Sequence, residues 1–527
     1  MTVNVCCVGP CVDVVKRLSK DADRVSLQRF VSVSQLIKWF FEKRLQDKHT
    51  TFEGSCLFIC YDPIKAKLRS TSPLNSIDPE TLSFFISDMF PCFNVMCVPC
   101  VDFIDYYESS ILDKNTIGND DTDVNLDRIS NVYRWMYSDT PALHEDSKDI
   151  NAKSCAASQN GCSTNLYTMA SHLAYLTCND RLKRESVPIW EYIDVSDWIQ
   201  SNLSHDNDYY WKCLNSWEFC AHSLDCTELI WCSYLLFDKL SSEAELSHPP
   251  PSTNRLLLML LNIEAAYHQE NKFHNFRHAV DVLQATYQLC HLLEVPNIAS
   301  FLLCISAIGH DVGHPGTNNM LFNKYHSPIS KYYKEQSVLE NFHADIYLDI
   351  FSRYWPDLSQ EFATIKDSII ATDMALHNHY VETIKQDSAP SLTGLTSLII
   401  KAADISNVTR PLLISAKWAA LISMEFKECA LLEKNLVDLT DKSGNDHGRI
   451  IHKLHADEVS DYDEDLPSNI DDILEKYPNI PKGQAFFIDT FALSLFSGLG
   501  LKFKQLQFLV HNVENNRKYW STREGNS

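Results

Sequence analysis

The chain has 527 residues, 45% of them hydrophobic and 22% charged, which is enough for two or three domains with sizeable cores. Its formal net charge of −23 repels phosphate backbones and anionic lipid, so neither nucleic acid nor a membrane surface is expected as a partner. Only 14 glycines occur, with no GxGxxG and no GxxxxGK followed by Ser or Thr, which excludes dinucleotide and P-loop phosphate sites.

The N-terminus, MTVNVCCVGPCVDVV, has no basic stretch ahead of a long apolar one and does not read as a signal peptide. Apolar runs such as LLLMLLNIEAA (256–266) stop short of the roughly 20 residues that span a bilayer. A reducing compartment is therefore expected, cytoplasmic with the nucleus also open, and the 18 cysteines serve mostly as free, small hydrophobes. Cys97 and Cys100 have zinc or redox spacing, but no second pair accompanies them. Cys6, Cys7, Cys56 and Cys60 also lie in strand-like apolar runs, so buried strand cysteines are the expected reading.

Residues 1–125 predict a small α/β domain. VNVCCVG, SCLFICY and FNVMCVPCV have strand composition, and SVSQLIKWFFEKRLQ (32–46) has helical spacing, which suggests a largely parallel sheet. Polar stretches at 115–127 and 145–165 predict a surface loop and a connector, so 126–204 reads as linker and connecting helices. From 205 to 527 apolar residues recur at helical spacing, as in ELIWCSYLLFDKL (228–240) and HAVDVLQATYQLCHLLEV (278–295), and predict an all-helical domain. The acidic stretch DEVSDYDEDLPSNIDD (457–472) predicts a solvated loop, with a partner-docking segment as the alternative.

Candidate chemistry begins at KFHNFRHAVDV (272–282). His274 and His278 are four apart, which predicts one helix face, although an ordinary surface or core pair has the same spacing. HDVGHPGTNN (310–319) follows FLLCISAIG, a predicted buried helix, so His310 and Asp311 emerge from the core. Burying that pair without a ligand is costly, and imidazole with carboxylate suits Zn²⁺, Mn²⁺ or Fe. LIIKAADISNVTRP (398–411) adds Asp404 after a run whose one charge is Lys401; a helix cap is the other reading of Asp404. Glu340 in QSVLENFH and Asp373 in IIATDMALH occupy similar half-buried helical contexts. More carboxylates than one ion needs point to two adjacent metals sharing a carboxylate and a water, an arrangement suited to attack on phosphorus.

HNFRHAVDV, HDVGHPGTNN, SVLENFH, ATDM, KAADISN and GQAFFID occur in order in the C-terminal block. Together they resemble the catalytic domain of the class I cyclic-nucleotide phosphodiesterases, within the HD metal-phosphohydrolase superfamily, and most of all the fungal high-affinity cAMP enzymes. The resemblance implies a mainly α chain, with an all-helical catalytic domain after the small α/β domain. It implies two divalent ions, zinc at the tighter site and magnesium or manganese at the second. His278, His310, Asp311 and Asp404 resemble the ligands, with Asp311 shared between the ions. His314, Glu340 and Thr372 match positions that hold metal-bound waters, and His274 matches the general acid. Gln484 resembles the residue reading the purine edge, Phe487 and Ile422 the groups on its two faces, and Asn407 one associated with adenine preference; Phe273 replaces the usual pocket tyrosine.

The implied reaction is hydrolysis of 3′,5′-cyclic AMP to 5′-AMP by a hydroxide activated between the ions, lowering cAMP in signalling. Cyclic GMP is the second candidate substrate, and a homo-oligomer is left open. Besides Phe273, the departures are Gly313 for an acidic residue, Phe342 with His343 in place of a histidine pair, and Phe486 for a glycine. None replaces a matched ligand; they bear on pocket shape. Two other readings are an HD phosphohydrolase of another nucleotide and a non-catalytic nucleotide-binding homologue.

Overall fold

The computed structural model describes residues 3–9, 11–21, 25–46, 56–61 and 94–99, a few positions between 82 and 104, and 193–523 except 268–270, 325, 387–388 and 441–465. The chain divides into two compact units, Met1–Ser201 and Asn202–Ser527. The stretches 115–127 and 145–165, and the residues 126–192 assigned to a linker, lie outside the described residues.

In the first unit β1 (Val3–Val8), α1 (Val12–Leu18), β2 (Val25–Phe30), α2 (Val33–Gln46), β3 (Cys56–Tyr61) and β4 (Asn94–Pro99) build a four-stranded sheet in the order β2-β1-β3-β4. Every pairing is parallel, with Val5 opposite Leu27 on one side and Phe58 on the other. Val5, Cys6, Cys7 and Val8 are all buried, as a central strand covered on both faces requires. Cys6, Cys7 and Cys60 are buried thiols outside any disulfide; the side chains of Cys56, Cys97 and Cys100 lie outside the described residues. β2 has no counterpart in the sequence reading. It is an edge strand with a mixed burial pattern, and its polar Gln28 and Arg29 hide the apolar run that marks β1 and β3.

Every regular element described in the second unit is a helix. Side chains start its helices where their backbone donors would otherwise be orphaned. Asp225 and Glu228 form a capping box at helix Cys226–Glu243, and Ser252 caps Thr253–Ala266. Helix Phe276–Leu292 packs on Asn297–Gly309 and on Leu392–Asp404, which brings three ligand-bearing segments together. Residues 466–469 form a loop, but Asn469 caps helix Ile470–Lys476, so the loop expected to 472 is shorter.

Ile480–Lys502 is a helical run of 23 residues with a π-helical turn at Ile488–Ala492, long and apolar enough by composition to cross a membrane. This corrects the expectation that apolar segments are all too short. It packs against helices Leu412–Thr440 and Gln507–Ser521 within this unit, and on its exposed side Asp489 pairs with Arg517 at 2.7 Å.

Candidate active site

Asn275 determines where the first ligand helix begins. Its side chain accepts hydrogen bonds from the backbone N–H groups of Arg277 and His278, so the helix starts at Phe276. His278 lies in the first turn, buried, while His274 precedes the cap. The expected shared helix face for His274 and His278 is therefore corrected: an asparagine cap stands between them, and the two rings lie 5.8 Å apart, edge to face.

His310 follows the buried helix Asn297–Gly309, and Asp404 is the last residue of Leu392–Asp404. Asp404 does not cap the next turn. It lies 3.3 Å from both His278 Nε2 and His310 Nε2, while Asp311 Oδ2 lies 3.1 Å from His310 Nε2 and 3.7 Å from His278 Nε2. One ligand atom from each of these four residues falls in a single group within 4.8 Å.

Three observations test whether a metal fits. Ligand atoms about 2.0–2.2 Å from one ion lie about 3–3.5 Å from each other, close to the spacing here. Nε2 of both His278 and His310 is buried without a hydrogen-bond partner, an expensive state unless a cation takes its lone pair. His310 Nδ1 bonds the Ala307 carbonyl at 2.8 Å, which fixes that nitrogen as the donor and leaves Nε2 free to ligate. Electrostatics agrees. Burial disfavours a charged His310, yet Asp311 and Asp404 outweigh it and raise its pKa well above the usual value. Asp404 is held well below the carboxylate range by His278 and His310 despite burial. The cluster demands positive charge at its centre.

A second group shares Asp311. Its carboxylate, His314 and His343 also converge within 4.8 Å, with His343 Nε2 3.8 Å from Asp311 Oδ1. His343 Nδ1 is tied to the Val312 carbonyl at 2.7 Å, and His314 Nδ1 accepts from Gly316 N–H, which leaves Nε2 of each ring as the available nitrogen. Glu340 lies in the first turn of helix Val338–Tyr354 and accepts from Asn319 through both oxygens. Burial and Asp373 raise its pKa to about 7. Thr372 donates to the Ile369 carbonyl. Asp373 is not in a helix: it caps the turn Met374–Leu376 and accepts from Ala375 N–H and from the Ser337 hydroxyl, so its oxygens are engaged by protein donors.

Glu425 was not legible in the sequence. It lies 151 positions from His274 on helix Leu412–Thr440 and is buried. One carboxylate oxygen accepts from the backbone N–H groups of Phe273 and His274, at 2.9 and 3.1 Å, and the other pairs closely with His274 Nδ1. Burial lowers the His274 pKa, but Glu425 more than reverses this and raises it to about 8. His343 was visible only as part of an altered His pair. The His274 ring stacks on His314 at 4.0 Å, and Phe273 packs 4.6 Å from His278, so loss of the tyrosine hydroxyl leaves an apolar wall.

Gln484 is buried with Oε1 unpartnered, and Phe487 lies one turn further on, 5.5 Å from Phe491. Ile422 is half-buried on the helix that packs against theirs, and Asn407 is half-buried in the 3-10 turn Ser406–Thr409.

Two of the unusual residues meet. Gly313 has φ +76°, and a Cβ there would lie 3.3 Å from the Phe342 ring and 2.9 Å from Ile346. The missing side chain at 313 thus makes room for the aromatic ring at 342. Gly313→Ala is expected to lower unfolding free energy by about 1–3 kcal/mol with metal content unchanged, as checked by denaturant titration and metal analysis.

Residues 273–513, from Phe273 past Gln484, match the 3′5′-cyclic nucleotide phosphodiesterase family. The 3′,5′-cyclic-nucleotide phosphodiesterase 2 of Saccharomyces cerevisiae is 38% identical over 509 residues, covering 89% of this chain and 88% of that one. The cGMP-specific 3′,5′-cGMP phosphodiesterase 3 of Dictyostelium discoideum is 28% identical over 343 residues, 61% of this chain and 65% of its own. A crystal structure of yeast caPDE2 in complex with IBMX superposes with a TM-score of 0.73 and 26% identity, covering 99% of this chain and 100% of that one. With the paired histidines and aspartates inside the matched region, the chain belongs to the 3′,5′-cyclic-nucleotide phosphodiesterases, metal-dependent enzymes that hydrolyse cyclic nucleotides.

Proposed function

We propose that this phosphodiesterase acts on 3′,5′-cyclic AMP, releases 5′-AMP with His274 as general acid, and lowers cAMP in signalling within the cytoplasm. The observation that carries the reading is the His274–Glu425 pair, which groups with His314 beside the four residues His278, His310, Asp311 and Asp404 and is not one of them. His278, His310, Asp311 and Asp404 would hold the first divalent ion and Asp311 the second, which together supply charge neutralisation on the phosphate and a water acidified to a pKa of about 7. Zinc at the first site and magnesium or manganese at the second suit these donors.

The chain's own residues supply the rest. His314, Glu340 and Thr372 would orient water. His274 gives its Nδ1 to Glu425, so Nε2 is the nitrogen that would carry the proton for the substrate. Attack by water oxygen on phosphorus breaks the P–O3′ bond, and the electron pair leaves on O3′. His274 Nε2 delivers the proton that oxygen needs, and the proton lost from the water restores the imidazolium. Gln484 can both donate to and accept from a purine edge, with Phe487 and Ile422 on its faces.

A general acid must be protonated, so rate falls as pH rises through its pKa. Glu425→Gln removes the largest of the charges that raise the His274 value to about 8, leaving Asp311, Asp404 and the burial that lowers it. The basic limb of the pH profile of kcat/KM should therefore move to lower pH. An unmoved limb would remove His274 from the acid role.

The preference for adenine rests on the resemblance to fungal cAMP enzymes and on Asn407. Measuring kcat/KM for cyclic AMP and cyclic GMP, in the wild type and in Asn407→Ala, tests it. The reading expects cyclic AMP to be favoured and the ratio to narrow in the variant; a preference for cyclic GMP overturns it.

A further inference from the structure

Lys401 is the one charge in an apolar run and is completely buried. It sits on helix Leu392–Asp404, one turn before Asp404. Its ammonium donates to the carbonyls of Thr372 at 2.8 Å and Asp373 at 2.9 Å, and lies 3.5 Å from Met374 Sδ. Those carbonyls belong to the turn just after helix Phe362–Ile370, at the negative end of its dipole. An apolar side chain would fill this space without the cost of desolvating a cation. What the ammonium adds is direction: two short bonds join the Asp404 helix to the Thr372–Asp373 turn.

The connection continues. The Asp373 carboxylate accepts from the Ser337 hydroxyl at 2.7 Å. Ser337 has φ +40° and is the last residue before helix Val338–Tyr354, which carries Glu340 and His343. A bonded path therefore runs from the helix of a first-ion ligand, through the Thr372 turn, to the helix of Glu340.

We propose that Lys401 is a positioning residue that sets the spacing between Asp404 and the wall made by Thr372 and Glu340, and thereby the affinity of the second cation site. This rests on the reading above in which Thr372 and Glu340 hold waters of the second ion. Two effects of the ammonium oppose each other. As a nearby positive charge it repels a divalent cation, so removing it for electrostatic reasons alone would tighten binding. As a geometric tie, its removal loosens the site. The sign of the change decides between them.

The test uses the full chain carrying its tightly held metal. Mn²⁺ binding is titrated by electron paramagnetic resonance, with metal content measured per chain, in the wild type, Lys401→Met and Ser337→Ala. Ser337→Ala cuts the same path without changing charge or touching Lys401. The expected result is one tight metal retained in all three, with Mn²⁺ affinity at the second site at least tenfold weaker in Lys401→Met and weaker by a smaller factor in Ser337→Ala. If Lys401→Met does not fold, weaker Mn²⁺ binding by Ser337→Ala supports the path, and unchanged binding overturns it. Unchanged or tighter Mn²⁺ binding in Lys401→Met overturns the positioning role and leaves the second site standing. A wild type with no second Mn²⁺ site overturns the two-ion reading, and this proposal with it.

Discussion

His274→Ala is expected to reduce kcat for cyclic-nucleotide hydrolysis by about 10²–10⁴-fold while the protein keeps its metal. The separation of these effects follows from position. His274 precedes the Asn275 cap and pairs with Glu425, whereas the four-residue ligand group is formed by His278, His310, Asp311 and Asp404. Without the imidazole, the leaving O3′ departs as an unprotonated alkoxide. A substrate with sulfur at the bridging 3′ position provides the sharper measurement. A thiol has a pKa of about 8.5 and leaves readily as the anion, so the penalty of the variant should shrink with that substrate. Equal penalties for the oxygen and sulfur substrates, or metal lost along with rate, would remove the proton-donor role.

Asp404→Ala is expected to do the opposite: metal is lost, and activity is lost with it. Residues that merely orient a metal ligand cost about 10–100-fold in affinity when removed. Asp404 contacts both imidazoles of the first group at 3.3 Å, so its loss should exceed that range. Metal analysis after dialysis gives the stoichiometry. Thermal unfolding with and without added Zn²⁺ gives a second readout, because a ligand that binds only the folded state raises its stability. The wild type should gain stability on addition and Asp404→Ala should gain little. Full metal retention in the variant would contradict the assignment of Asp404.

The parts of this site that could be read in the sequence are those with local signatures. His310 and Asp311 follow an apolar helix, and a polar pair emerging from the core is visible in one dimension. Asp404 is visible for the same reason. Glu425 is not, because on helix Leu412–Thr440 it is one acid among ordinary helical spacings and its partner is 151 residues away. Spacing alone puts His274 and His278 on one face, because it carries no sign of the Asn275 cap that separates them. In the first unit, β1, β3 and α2 were apparent from apolar patterning, whereas β2 was hidden by the polar residues an edge strand tolerates.

The contact between position 313 and Phe342 has an epistatic consequence. Restoring an acidic residue at 313 alone would force a side chain into left-handed backbone against an aromatic ring. Restoring histidine at 342 alone would bury a polar ring in a fully enclosed position, facing the space left by a glycine. Position 313 and the ring at 342 are thus coupled: a double change should differ in stability from the sum of its two single changes, because a side chain at 313 meets Phe342 as well as Ile346.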